Sequence, residues 1–435
     1  MLDGLKHAVK KASNKRALST LMSDCKVLMS ERGQANSVAI AHQLIEHFEN
    51  LPEDKLIEFF LRLTSDFAPN PDKVLRAAQA YAQDQSPEHL KDLIQVSEPP
   101  RQELFRRINR TPGGTAEIVS MRSTLLRNLK THPELGALED DLLHLLSSWF
   151  NPGFLELQTV DWDSPARLLE KLIEHEAVHA IDGWDDLRRR LAPDRRCFAF
   201  FHPQLPDEPL IFVEVALLPE IPNDIPPLIN KQSKPLSPEQ FKVAAFYSIS
   251  NCQPGLRGVS LGNFLIKRVA EQLHKELPQI KTFCTLSPIP GFAAWLQATT
   301  DFHHIHGKRR GLGLRLSQAR EALLNATNGD LSALANATLQ RSLSADLQTA
   351  LMRLCSAYLA HHSIHQGADP VARFHLDNGA RLERINLLGD PSRKGLKQSC
   401  GLMVNYLYDL KQVETNHEKF VHGEVVHAKA VAALL

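Results

Sequence analysis

Four stretches of the chain carry residue types and spacings suited to chemistry. Arg257-Gly-Val-Ser-Leu-Gly262 stands where an apolar strand pattern gives way to an amphipathic helix. Backbone N–H groups left unpaired in such a loop, at the positive end of the helix dipole, suit a phosphate or diphosphate. Gly258 and Gly262 let the backbone approach the anion closely, and a plain turn is the quieter account of the same residues. Ser287, directly after the strand pattern Lys281–Leu286 and before Pro288, is either a turn hydroxyl that caps the next segment or a reacting one. His375, in Arg373-Phe-His-Leu-Asp-Asn-Gly379, is either a hydrogen-bonded core imidazole or the group with which that hydroxyl shares a proton. His175-Glu-Ala-Val-His179 matches the pentamer that sets two imidazoles on one helical face for zinc, with a glutamate as base. No third ligand follows it in a recognisable pattern, so no metal is assigned.

The wider sequence sharpens these readings. Arg-x-x-Ser-x-Gly ahead of an apolar helix resembles the acyl-CoA loop of GNAT-type acetyltransferases, with Ser260 at the first glycine of their pattern. The words FYSIS, GLRGVSLGNFLIKRV, LSPIPGF, RFHLDNGA and INLLGD, in that order, resemble the malonyl-CoA decarboxylase family. Trp149-Phe-Asn-Pro-Gly-Phe154 and Asp194-Arg-Arg-Cys197 extend the resemblance over most of the chain after about Leu146, and more loosely over the helices before it.

The resemblance implies a catalytic domain of GNAT-like fold that takes malonyl-CoA to acetyl-CoA and CO2 with no metal and no cofactor. It implies that Ser287 and His375 are the catalytic pair and that Tyr408, in Asn405-Tyr-Leu-Tyr408, orients the histidine. It also implies that Arg257, Gly258, Val259, Ser260, Leu261, Gly262 and Asn263 bind the CoA diphosphate. Some family members carry an acidic residue where Ser260 stands, and a role for that carboxylate has no counterpart here. The alternative is a CoA-dependent acyltransferase of the GNAT superfamily. Acyl transfer needs an open channel for an amine and a base to deprotonate it, whereas decarboxylation needs a closed pocket with a proton donor.

Elements able to position these residues are legible on both sides. Ala245–Ser250 reads as a buried strand and Asn263 onward as a helix, with Leu265, Val269 and Leu273 recurring on one face. Lys281–Leu286 reads as a second strand, which Ser287-Pro-Ile-Pro-Gly291 cannot continue because proline supplies no ladder donor. Ser164–His175 and Gly183–Leu191 read as helices, and Cys197–Phe201 with Leu210–Leu217 as an antiparallel pair. Ala372–Gly379 reads as strand and turn, Leu382–Leu388 as strand, and the tail toward Leu435 as one long polar helix. From about Ser37 to Ser148 the period is helical throughout, and Asn70-Pro71 and Ser86-Pro87 mark helix starts. The expected architecture is α+β: an all-α helical bundle over 1–149, structural or oligomerising, then a GNAT-like catalytic domain over 150–435 with a mainly antiparallel sheet.

Composition bounds the rest. At 435 residues the chain exceeds a single ordinary core. Lys+Arg and Asp+Glu both total 50, which argues against general nucleic-acid binding. Six scattered cysteines show neither zinc spacing nor a disulfide framework, no apolar run approaches the length of a membrane span, and the C-terminus lacks a peroxisomal address. The basic stretch from Met1 to Met22 is compatible with an amphipathic helix that directs organelle import, a reading that Asp3 and the shortage of arginine before Arg16 weaken. The chain therefore reads as cytoplasmic, forming a homo-oligomer (dimer or tetramer), with malonyl-CoA and acetyl-CoA as small-molecule partners and neither nucleic acid nor membrane among them.

Overall fold

The computed structural model describes residues 2–30, 36–259, 261, 265–303, 305, 311–365 and 367–435. Ser260, Gly262 and Asn263 of the glycine loop lie outside the described residues. The chain divides into two compact units. One gathers Met1–Glu156, Phe201–Pro209 and Gln253–Leu261; the other gathers Leu157–Phe200, Leu210–Cys252 and Gly262–Leu435.

The first unit is built of helices. They include Ser37–Glu49, Glu53–Asp66, Pro71–Gln83, Pro87–Ser97, Pro100–Asn109, Gly114–Asn128 and Gly136–Trp149. Asn70 and Ser86 cap their helices from the side chain, each with proline in the first turn where no N–H is missed. Leu44 and Phe48 from one stripe meet Phe59, Phe60 and Leu63 from the next in the core, with ring centroids 5.5–6.3 Å apart.

The second unit is organised on a sheet of β1 (Glu156–Val160), β2 (Arg195–Phe201), β3 (Ile211–Leu218), β4 (Val243–Asn251), β5 (Thr282–Thr285), β6 (Ser287–Pro288), β7 (Arg381–Asn386) and β8 (Met403–Tyr408). Its order is β1-β2-β3-β4-β5-β8-β6, with β7 on the other edge of β8. The β4–β5 pair is parallel, which requires a crossover, and the helix Leu265–Glu276 supplies it. That helix buries Leu265, Val269 and Leu273, the stripe its spacing predicts. The other neighbours β2–β3, β3–β4, β5–β8, β6–β8 and β7–β8 are antiparallel. This is the α+β architecture with the acetyltransferase-like strand–loop–helix–strand unit.

Two features of β4 prepare the site. Val215 pairs with Phe246 and Glu214 with Ser248, so Tyr247 is the extra residue of a bulge, which bends the strand. β4 and β5 pair only from Val243 to Phe246; beyond that β4 continues beside β3 to Asn251, while the chain after β5 turns to β8.

Several expectations are corrected. Ser287-Pro288 does enter the ladder, pairing with Val404 and Met403, because β6 ends the strand order and its proline owes no donor to a further neighbour. The residues around His375 are not a strand: Pro370–Asp377 is a helix, nucleated by Asp369 at the N-cap and Pro370 in the first turn. The tail is not one long helix, because Gly423, at φ +84°, separates Val413–Val421 from Lys429–Leu434.

Candidate active site

Ser287 and His375, 88 positions apart, meet in the second unit: Ser287 Oγ lies 2.9 Å from His375 Nε2. The other imidazole nitrogen, Nδ1, lies 2.9 Å from Tyr408 Oη. Ser287 Oγ also donates to Thr285 Oγ1 at 2.9 Å. The four side chains thus form one hydrogen-bonded row, and all four are buried.

Each member is held by the element that carries it. Thr285 ends β5, paired with Phe246 of β4, and Ser287 begins β6, paired with Val404 of β8, so both are fixed by the sheet on the same side of the chain. Tyr408 ends β8, paired with Phe283. His375 sits in the last turn of Pro370–Asp377, whose buried face is Ala372, His375 and Leu376. Asp369 joins the two halves of the pair. One carboxylate oxygen accepts from the N–H groups of Val371 and Ala372, and the other from the N–H of Gly291, each at 3.0 Å. The helix bearing the imidazole is thereby tied to the segment bearing the hydroxyl. Residue 291 must be glycine here, since a Cβ would stand 2.2 Å from Tyr358 Oη.

The imidazole is stacked on Tyr406, with ring centroids 4.6 Å apart and 28° between planes. Burial in these surroundings holds His375 neutral, its pKa pushed down from 6.5 to about 3. Burial also pushes the Tyr408 hydroxyl well above the ordinary phenol range, so it too is neutral.

Ser287 and His375 line a cavity of about 350 Å³ where β4 and β5 part. Phe246, Ile211, Val178, Val371 and Phe374 give it apolar walls, and Ser248 and Asn251 add polar groups from β4. Such a cavity sets a few convergent polar groups among apolar walls, which suits an anionic carbon intermediate that must be protonated once.

His175-Glu-Ala-Val-His179 does not form a two-histidine helical face, because the helix Ala166–His175 stops at its first residue. Glu176 turns inward instead. Its carboxylate accepts from Val178 N–H, His179 N–H, Ser248 Oγ and Ser250 Oγ at 2.7–3.0 Å, so it pins this segment to β4 beside the cavity. Among the described residues, no three His, Cys, Asp or Glu side chains gather as a metal set would.

The described part of the glycine loop, Arg257, Gly258, Val259 and Leu261, belongs to the first unit. Gly258 takes φ +84°, which other residues adopt only with strain. Arg122, on Gly114–Asn128, builds the turn before the loop: it donates to the carbonyls of Gly255 at 2.7 Å and Arg257 at 2.8 Å, and pairs with Glu139 at 2.7 Å. Arg122 and Thr285 carry no motif in the sequence, Glu176 stands in a motif that points to a different chemistry, and Asp369 signals only a helix start before Pro370.

Comparisons with known proteins agree with one another. The family model described as "Malonyl-CoA decarboxylase C-terminal domain" matches residues 153–435, and "Malonyl-CoA decarboxylase N-terminal domain" matches residues 67–150. The chain is 40% identical over 341 residues to "Malonyl-CoA decarboxylase, mitochondrial" of Mus musculus, covering 75% of this chain and 68% of that one. It is 37% identical over 382 residues to the protein of the same name from Anser anser anser, covering 83% and 74%. The crystal structure of malonyl-CoA decarboxylase from Rhodopseudomonas palustris superimposes with a TM-score of 0.85 at 44% identity, over 96% of this chain and 99% of the other. That from Agrobacterium vitis gives 0.82 at 44% identity, over 95% and 99%.

Proposed function

The chain belongs to the malonyl-CoA decarboxylase family and converts malonyl-CoA to acetyl-CoA and CO2; from that premise we propose that Ser287, His375 and Tyr408 carry the reaction. The observation that supports this most is the continuous hydrogen-bonded row from Ser287 through His375 to Tyr408, with two of its members in the wall of a largely apolar cavity.

The bond between C2 and the carboxylate carbon breaks, its electron pair passes into the thioester enolate, and CO2 leaves. Ser287 holds the departing carboxylate by a hydrogen bond and exchanges a proton with His375. His375 then gives a proton to C2, forming the methyl group of acetyl-CoA. A neutral imidazole suffices as donor because a thioester enolate is far more basic than the group left behind. Tyr408 orients the ring and supplies hydrogen-bonding support at Nδ1 as Nε2 gives up its proton, and water restores the missing proton as product leaves. On this reading hydrogen-bond donors stabilise the enolate, and the step calls for no metal or cofactor. The loop Arg257–Asn263 is proposed to bind the CoA diphosphate, with Arg257 and Gly258 in the geometry described and Val259, Ser260, Leu261, Gly262 and Asn263 assigned from the sequence alone.

Keeping His375 neutral has a consequence for pH. Its folded value, about 3, lies below the 6.5 of an exposed imidazole. The unfolded chain then binds a proton that the native state refuses. The contribution of this site to stability is therefore complete above pH 6.5 and is lost progressively as pH falls toward 3. Urea midpoints measured from pH 7.5 down to 5 should fall more steeply for the wild type than for His375→Gln, and kcat should show no ascending limb near pH 6.5 from this group. Identical slopes in the two proteins would contradict the neutral, buried imidazole.

We further propose that the helical unit serves homo-oligomerisation and that the protein is cytoplasmic. Leu75 and Ile94, on neighbouring helices, are 58% and 61% exposed, apolar surface that a second copy would cover. Among the described residues no helix is long and apolar enough to cross a membrane, and the curated relatives carry the word mitochondrial in their names. Sedimentation as a monomer would overturn the first proposal, and recovery of the tagged chain from mitochondria the second.

A further inference from the structure

We infer that Thr285 is a positioning residue that sets the direction of the whole hydrogen-bonded row, so that His375 presents Nε2–H toward Ser287. Each hydroxyl in the row has one hydrogen to give. Ser287 has one hydroxyl hydrogen, and the geometry directs it to Thr285 Oγ1 at 2.9 Å. Thr285 Oγ1 also accepts from the backbone N–H of Tyr406 at 3.2 Å, so donors take both of its lone-pair sides and it makes a stable acceptor. Until a substrate carboxylate, a stronger acceptor than Thr285, draws the Ser287 hydrogen to itself, Ser287 Oγ accepts from His375 Nε2, 2.9 Å away. A neutral imidazole with its hydrogen on Nε2 has a bare lone pair on Nδ1, and Tyr408 Oη, 2.9 Å away, must donate to it. The row then reads Tyr408 O–H to Nδ1, Nε2–H to Ser287 Oγ, and Ser287 O–H to Thr285 Oγ1.

Without the Thr285 hydroxyl nothing holds the Ser287 hydrogen away from the imidazole. It turns to Nε2, the ring hydrogen moves to Nδ1, and His375 no longer offers a proton on the side of the ring that meets Ser287 and the cavity. Thr285 itself is completely buried and is not among the residues that line the cavity, so its effect reaches the chemistry only through Ser287. Thr285 is in turn held by Asn405, whose Nδ2 donates to its carbonyl at 2.8 Å and which accepts from Asn386 Nδ2 at 2.9 Å. The inference rests on the reading that Ser287 and His375 carry the proton transfer.

The test uses the full chain with ¹⁵N-labelled histidine, the ring signals of His375 being identified by their loss in His375→Gln. The wild type should show the tautomer protonated on Nε2. Thr285→Val, which keeps the shape and removes the hydroxyl, should shift His375 toward the tautomer protonated on Nδ1 and lower kcat about 10- to 100-fold with KM for malonyl-CoA nearly unchanged. Thr285→Ser should restore both. A wild-type spectrum showing the Nδ1–H tautomer overturns the inference. So does Thr285→Val with an unaltered tautomer, whether or not kcat falls, since a fall alone would report a structural role. If Thr285→Val fails to fold, the wild-type spectrum still decides. Full turnover in Ser287→Ala or His375→Ala would sink the catalytic assignment separately, leaving the tautomer measurement to judge the hydrogen-bond direction by itself.

Discussion

Replacing His375 with alanine should lower kcat about 1,000-fold, the size of a positioned proton donor, while CoA binds nearly as before. The loss is expected in kcat because His375 acts on a carbanion that exists only after the carboxylate has left. The buried neutral ring, anchored at both nitrogens, has no cationic charge with which to hold the substrate in the ground state. Ser287→Ala should cost about 100-fold, the scale on which loss of a group that orients the carboxylate and its proton donor is felt. The two substitutions together should cost little more than His375→Ala alone, because the residues form a single row and act as a unit. Steady-state kinetics with malonyl-CoA, paired with calorimetric titration of CoA, checks this. Equal losses of turnover and of CoA affinity would show that the pair binds the substrate and does not perform the chemistry.

The second large effect is expected at Arg122, far along the sequence from any motif. Its guanidinium is 1% exposed and meets Glu139 together with the carbonyls of Gly255 and Arg257. Arg122→Ala leaves a largely buried carboxylate and two carbonyls without their donor, and should destabilise the protein by about 3–5 kcal/mol. Arg122→Lys keeps the charge but loses the planar fork, so it should remain folded at 25 °C and show its main defect as a raised KM for malonyl-CoA, because the turn that precedes Gly258 is no longer held. Urea unfolding of both variants and the kinetics of Arg122→Lys check the prediction. Wild-type KM in a folded Arg122→Lys protein would contradict the assignment of this loop to the CoA diphosphate.

What was legible in the sequence divides along physical lines. The β4–loop–helix–β5 unit was readable because each piece has a strong local signal: an apolar strand, glycines, and a helical stripe of Leu265, Val269 and Leu273. Ser287 and His375 stood out through words of several residues, although no local signal could show that they touch. The helix around His375 was misread because RFHLDNG has aromatic and apolar residues at strand-like spacing. Its actual start, Asp369-Pro370, was the stronger cue, since the carboxylate satisfies two N–H groups of the first turn. β6 was missed for a related reason: the rule that proline ends a strand fails where the strand needs no further neighbour. The polar and largely exposed β1 has no hydrophobic alternation to find. Thr285, Glu176 and Asp369 work through partners 72 to 121 positions away along the chain, as in the bonds of Thr285 to Tyr406, of Glu176 to Ser248, and of Asp369 to Gly291. Long-range satisfaction of a buried polar group leaves no periodicity behind.

The most direct test of the catalytic assignment is a crystal structure of the protein with a malonyl-CoA analogue that cannot lose CO2. The carbon standing in for C2 should lie about 3–3.5 Å from His375 Nε2, with the analogue's carboxylate within hydrogen-bond reach of Ser287 Oγ. An analogue bound with its malonyl end outside the cavity lined by Ser287 and His375 would contradict it.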